Sequence, residues 1–180
     1  MRHNGLSLET RDAAAEAIAF LAEQLGSQGI RVVVEGGAAL LLQGWPVPVV
    51  DVDLVIPRDP VELWDALDML RFLGWPLPPG TWEYAWQHRH VPLRDGPFRA
   101  DLACADRGDV LRRGRHFDYG RLMREAVRVG RVWCHAWPAV MRGKRERGVV
   151  KDRALLAFMA SVDFVGPCDR PTVEGERCLA

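Results

Sequence analysis

Three aspartates stand inside sequence that otherwise reads as apolar strand: Asp51 and Asp53 in Val50-Asp51-Val52-Asp53-Leu54, and Asp101 in Ala100-Asp101-Leu102. Side chains alternate across a strand, so Asp51 and Asp53 point to one face while Val50, Val52 and Leu54 point to the other. The two carboxylates then lie about 7 Å apart along the strand. If a strand over 98–103 pairs beside this one, Asp101 completes a cluster of three. Such a cluster repels itself unless divalent cations sit among its oxygens, and Mg²⁺, a hard ion that keeps several waters and accepts phosphate oxygens, suits that place. Upstream, Gly36-Gly37 falls where a β-branched run gives way to a short helix. A glycine bend ahead of a helix lets backbone N–H groups approach a phosphate with no Cβ in the way. Metal-gathering acids beside a phosphate-gathering bend fit phosphoryl or nucleotidyl transfer, in which one ion activates the attacking oxygen and a second neutralises the leaving group. An alternating Asp pair alone equally suits a solvated strand face; the combination carries the reading.

The elements that must position these residues can be read in order. Ser7 or Thr10 caps a helix with Ala14, Ile18, Leu21 and Leu25 at helical spacing, ended by Gly26. Arg31 to Val34 is a strand stopping at the glycine pair, and Ala38 to Gln43 a short helix closed by Gly44. Val49 to Ile56 forms the acid-bearing strand. Asp59-Pro60 opens a helix through Phe72 that turns Val61, Trp64, Leu67 and Leu70 or Phe72 inward. After a proline-rich loop from Gly74 to Gly80, two strands are expected, Trp82 to Leu93 and Phe98 to Ala103, joined as a hairpin at Asp95-Gly96. The segment from Asp106 to Arg115 reads as charged helix or loop. A second hairpin pairs Ala126–Val129 with Arg131–Cys134 around Gly130, and Trp137 to Ala160 reads as helix broken at Gly148. The whole is an α+β (α/β) domain over 1–165, a mixed, mostly antiparallel sheet backed by helices, with a flexible tail at 166–180.

The pattern of glycine turn, short helix, hydrophobic-Asp-hydrophobic-Asp strand and later strand acid resembles the nucleotidyltransferase superfamily over Val32 to Ala103. Further on, Arg147 to Leu156, reading RGVVKDRALL, resembles the Lys-Asp helix of AbiEii-type toxins and related minimal nucleotidyltransferases. The resemblance implies a nucleotidyltransferase fold and transfer of a nucleoside monophosphate from an NTP to tRNA, a protein or a small molecule. It implies two Mg²⁺ ions, with Mn²⁺ as a substitute, on Asp51, Asp53 and Asp101. Gly36 and Gly37 would hold the outer phosphates, Lys151 would neutralise phosphate charge, and Asp152 would orient Lys151. It also implies a toxin–antitoxin setting with a cognate toxin or antitoxin partner. Two positions depart from the pattern: the bend carries Gly-Gly where many active members have Gly-Ser, and Leu155 stands where AbiEii-like helices often have Asp. A catalytically inactive nucleotide-binding or assembly module of the same fold would keep much of the same sequence. Modification of a small antibiotic shares the chemistry and would require an open acidic pocket beside the metals.

Composition bounds the rest. The chain has 180 residues, 48% of them hydrophobic, enough for one substantial core. Its 24 Lys and Arg balance 24 Asp and Glu, so any polyanion must be met by a local patch. Arg142, Lys144, Arg145, Arg147, Lys151 and Arg153 form the densest basic stretch, suited to a triphosphate or RNA, or else a solvated helix face. Arg107, Arg112, Arg113 and Arg115 read as exposed surface. His88 and His90 would share one strand face, though no third ligand accompanies them. Trp45 and Trp82 are candidate pocket walls. Four scattered cysteines fit neither a zinc site nor a disulfide framework, and no apolar run matches a bilayer, so a cytoplasmic protein without a membrane partner is expected.

Overall fold

The computed structural model describes residues 8–49, 51–95, 98–106 and 118–162. Val50, the Gly96 turn, the segment beyond Asp106, and the expected domain boundary and tail at 165–180 lie outside the described residues. Helix α1 (Leu8–Ser27) buries Ile18, Leu21, Ala22 and Leu25, the stripe its spacing predicts. Strand β1 (Val33–Glu35) runs directly into α2 (Gly36–Leu42), and β2 (Val52–Pro57) follows. Helix α3 (Pro60–Phe72) begins with Pro60 at its first turn, and Asp59 Oδ1 accepts hydrogen bonds from the N–H groups of Val61 and Glu62. Then come α4 (Thr81–His88), β3 (His90–Asp95), β4 (Phe98–Ala105), α5 (Tyr119–Arg124), β5 (Ala126–Val129), β6 (Val132–His135), α6 (Trp137–Arg147) and α7 (Val150–Ser161). Both expected hairpins form, β3–β4 and β5–β6, and the terminal helical stretch breaks at Gly148, which adopts a left-handed backbone with φ of 62°.

Among the described residues six strands form one mixed sheet in the order β3-β4-β2-β1-β6-β5. Pairs β1–β2, β3–β4 and β5–β6 are antiparallel, while β2–β4 and β1–β6 are parallel. Its two faces differ in kind. Val34, Val52, Leu54, Ile56, Leu93, Leu102 and Cys134 belong to the main core, together with residues of α1, α2, α3, α6 and α7. The opposite face carries a smaller cluster, Val33, Val55, Ala105, Tyr119 and Leu122, under α5. Acids of odd number on β2 and β4 fall on this second face, beyond the reach of the main core.

Two expectations are corrected. Residues 82–88 are helical. Their apolar–polar alternation imitates a strand, but in the helix Trp82 and Trp86, four apart, stack with centroids 5.6 Å apart and planes within 5°, and Ala85 is buried. Helix α3 turns Leu63, Ala66, Leu67 and Leu70 inward and leaves Val61, Trp64 and Phe72 exposed. The alternative phase would carry Asp65 and Asp68 toward the core, where an unpaired carboxylate costs several kcal/mol.

The junction of α6 and α7 is fastened by a buried ion pair. Asp152, 1% exposed, accepts from Lys144 Nζ at 3.1 Å and from Arg147 Nε at 3.0 Å. Burial alone would raise the Asp152 carboxyl; hydrogen bonds from Arg147 and Lys144 outweigh it and hold the group below its ordinary range. Removing one member of such a pair leaves an uncompensated buried charge. Asp152→Ala is therefore expected to lose about 3–5 kcal/mol in urea unfolding, whereas Lys144→Met combined with Asp152→Leu should recover most of that loss.

Candidate functional site

Strand pairing aligns the acids. In the parallel β2–β4 register Asp53 lies beside Asp101, and in the antiparallel β1–β2 register Glu35 lies beside Asp53. Paired residues share a face, so Glu35, Asp53 and Asp101 form a row across three strands. Beyond Glu35 the row continues into β6: Val34 pairs with Cys134, and at the next step His135 Nδ1 meets Glu35 Oε1 at 2.6 Å. Asp51 lies just ahead of β2, two residues from Asp53.

Asp53 is the most perturbed member. Burial pushes its carboxyl up to about 6, and the negative charges of Glu35, Asp51 and Asp101 push the same way. Lys151 opposes them, which places that exposed residue of the first turn of α7 within electrostatic reach of the row. Gly36 closes the site from the other side. It has φ of +66°, and a Cβ there would stand 2.7 Å from Asp53 Oδ2, so only glycine admits both the bend and the carboxylate. At Gly37 a Cβ would meet nothing closer than the Pro48 carbonyl oxygen at 3.8 Å; the second glycine answers no comparable contact.

Asp101 has a side chain 27% exposed, yet its Oδ1 is buried and makes no hydrogen bond. His90 Nε2 stands 3.5 Å and Arg94 Nη1 3.8 Å from that oxygen, too long for hydrogen bonds but close enough for charge attraction. Asp152 does not touch Lys151: both its oxygens are engaged by Lys144 and Arg147, so it anchors the helix on which Lys151 stands. Among the described residues no three Asp, Glu, His or Cys side chains are gathered closely enough to hold a metal ion by themselves; the acids form an open row.

Sequence reasoning missed the row's inner end. His135 is bridged between Glu35 and Glu125, with Nε2 3.1 Å from Glu125 Oε2, and Glu125 in turn is held by Arg142 at 2.8 Å and Arg121 at 3.1 Å. Burial alone would lower the His135 pKa, but the two carboxylates raise it above the ordinary value. The one available signal was an acid at the end of a β-branched run immediately before the glycine pair. Gln43 secures the same corner: its Nε2 donates to the carbonyls of Ala39 and His135, and the Trp137 N–H donates to its Oε1.

Other candidates fall away from the row. His88 lies on α4 and His90 on β3, so they share no strand face. Trp45 is buried against Trp137, with ring centroids 5.4 Å apart. Trp82 lines a surface groove of about 520 Å³ with Pro60, Val61, Trp64, Asp65 and Glu83, which includes no residue of the row. Of the basic stretch, Arg142, Lys144 and Arg147 are committed to internal ion pairs. Burial drives the Cys104 and Cys134 thiols up to about 12, which removes both as nucleophiles.

No family model and no curated protein sequence matches the chain. Among solved structures, it is similar to the aminoglycoside nucleotidyltransferase ANT(2'')-Ia, crystallised in complex with adenylyl-2''-tobramycin. The TM-score is 0.51 at 14% identity, covering 83% of this chain and 90% of that one. The architecture is therefore the nucleotidyltransferase fold. No helix among the described residues is long and apolar enough to cross a membrane.

The raised Asp53 carboxyl has a consequence for stability. Between its ordinary value of 3.8 and about 6 the folded state binds more protons than the unfolded chain, so this group's contribution to stability falls as pH climbs through that window. Asp53→Asn, which keeps shape and removes charge, should exceed the wild type by roughly 2 kcal/mol at pH 8 without divalent ions, with the difference vanishing near pH 4. Urea unfolding at the two pH values checks this; equal stabilities at pH 8 would contradict the repulsion read from the row.

Proposed function

We propose that the protein transfers a nucleoside monophosphate from an NTP to an acceptor hydroxyl or phosphate in a Mg²⁺-dependent reaction. The observation that carries this reading is the in-register row Glu35–Asp53–Asp101 beside the Gly36 bend, on a sheet face that the main core leaves open. Self-repelling oxygens and an orphaned buried Asp101 oxygen are the donor chemistry of a hard cation, and the open row fits an ion that keeps waters and shares phosphate oxygens rather than an all-protein cage. Asp51, Asp53 and Asp101 would hold the two ions, with Mn²⁺ able to substitute, and the ions would neutralise phosphate charge and activate the attacking oxygen. The N–H groups at Gly36 and Gly37 would bind the outer phosphates. Lys151 would offset charge on the leaving pyrophosphate, and Asp152 would serve by anchoring α7. Asp101, at the end of the row nearest the sheet edge, would take the acceptor's proton.

The acceptor classes implied by the sequence, tRNA, protein or small molecule, all stay within this reading. The solved neighbour holds an adenylylated aminoglycoside, which supports a small molecule as acceptor. The likeness of α7 to AbiEii-type toxins instead supports a toxin–antitoxin pair with a cognate partner in the cytoplasm. A second reading, nucleotide binding without transfer, draws on the bend itself, where Gly37 offers no hydroxyl to a phosphate. One experiment separates them. Mg²⁺-dependent pyrophosphate release from the four NTPs, measured with bulk tRNA, cell extract and the protein itself as acceptors, should fall to background in Asp53→Asn while that variant stays folded. Nucleotide affinity with no pyrophosphate release from the wild type would select the second reading.

Gly36→Ala tests the bend separately. The left-handed backbone and the 2.7 Å approach to Asp53 make alanine a strained guest costing roughly 1–2 kcal/mol of stability, and the half-saturating NTP concentration should rise at least about tenfold. Gly37→Ala, with no atom nearer than 3.8 Å, should change stability far less.

A further inference from the structure

We infer that the acceptor carries a phosphate group beside its attacking oxygen, bound by Arg94 and Arg99 at the sheet edge next to Asp101. This rests on the nucleotide-transfer reading and names the acceptor class. If the Gly36 bend and Lys151 take the triphosphate, the acceptor is left the other end of the row, where β4 and the edge strand β3 flank Asp101. The antiparallel register pairs Pro92 with Asp101, Arg94 with Arg99 and His90 with Ala103. His90, Arg94 and Arg99 therefore share the face of Asp101. Arg94 donates from Nη1 to the carbonyls of Leu93 at 2.9 Å and Ala100 at 3.3 Å, which holds its guanidinium against the strand. Its side chain is still 53% exposed, and Arg99 is exposed beside it.

Two guanidiniums on one short patch suit the oxygens of a phosphate ester, which they can meet with paired N–H donors. They repel an amine-rich acceptor such as tobramycin, which would need carboxylates there. Among the described residues, no carboxylate other than Asp101 shares that face of β3 and β4 with these cations. The buried Asp101 oxygen without a hydrogen bond lies between this patch and Asp53, where the attacking hydroxyl must stand to lose its proton. Arginines on an edge strand also discourage sheet-to-sheet association, and the test must separate that role from binding.

The experiment uses the whole protein saturated with Mg²⁺ and a non-hydrolysable ATP analogue, and measures binding of inorganic phosphate, glucose 6-phosphate, glucose, a short RNA with a free 3′-hydroxyl, and tobramycin. At least one phosphate-bearing probe should bind tenfold or more tightly than glucose and tobramycin. RNA binding without glucose 6-phosphate binding would assign the phosphate to a nucleic-acid backbone, and the reverse to a small phosphorylated metabolite. Arg94→Glu with Arg99→Glu should cost that probe at least tenfold with the analogue affinity unchanged, and Arg94→Lys with Arg99→Lys should retain most of it. Tobramycin or glucose binding as tightly as every phosphate-bearing probe, or no loss in the charge-reversed variant, overturns the inference. Failure of the analogue itself to bind would instead strike the nucleotide-transfer reading beneath it.

Discussion

Strand register sets like charges side by side, and the rest of the structure is organised around tolerating that. Glu35, Asp53 and Asp101 are neighbours across β1, β2 and β4 because backbone hydrogen bonds fix them there, and a slip of one residue would turn Asp53 into the main core. Such a slip is prevented from the other face. Val52, Leu54, Ala100 and Leu102 are at most 2% exposed, and each buried leucine contributes about 2 kcal/mol against any rearrangement. The acids are thus held together by residues that never touch them.

Charge is graded along the row. At its inner end Glu35 is satisfied by His135, whose pKa Glu35 and Glu125 raise above its ordinary value, and Glu125 is paired in turn with Arg121 and Arg142 at the surface. At the outer end Asp101 is met only loosely, at 3.5 and 3.8 Å, by half-exposed His90 and Arg94. The centre, Asp53, has neither form of relief. Its raised carboxyl marks the point where a missing positive charge would do most, and the charge of Lys151 opposes the rise only in part.

The parts of this arrangement that were legible in the sequence are those written in short-range periodicity. Alternation revealed which way Asp53 faces, Asp59-Pro60 marked the start of α3, and the Asp95 and Gly130 turns marked both hairpins. Trp82, Tyr84 and Trp86 recur at strand period, but Ala85 between them is buried and Trp82 stacks on Trp86 one turn away, as a helix requires. The Glu35–His135 pair was out of reach for a different reason. Its members are 100 positions apart, and nothing local to either announces the other. Asp152 was read as a partner of the adjacent lysine, but residues next to each other on a helix face different ways, and its partners come from α6.

That last point fixes something about Lys151. Consecutive helical residues are rotated by about 100°, so with Asp152 locked inward the preceding side chain has its azimuth decided for it. The buried pair works as an indexing pin: α7 cannot roll about its own axis without extracting Asp152 from Lys144 and Arg147. The direction in which Lys151 leaves α7 is therefore set by the pair that its neighbour makes with α6.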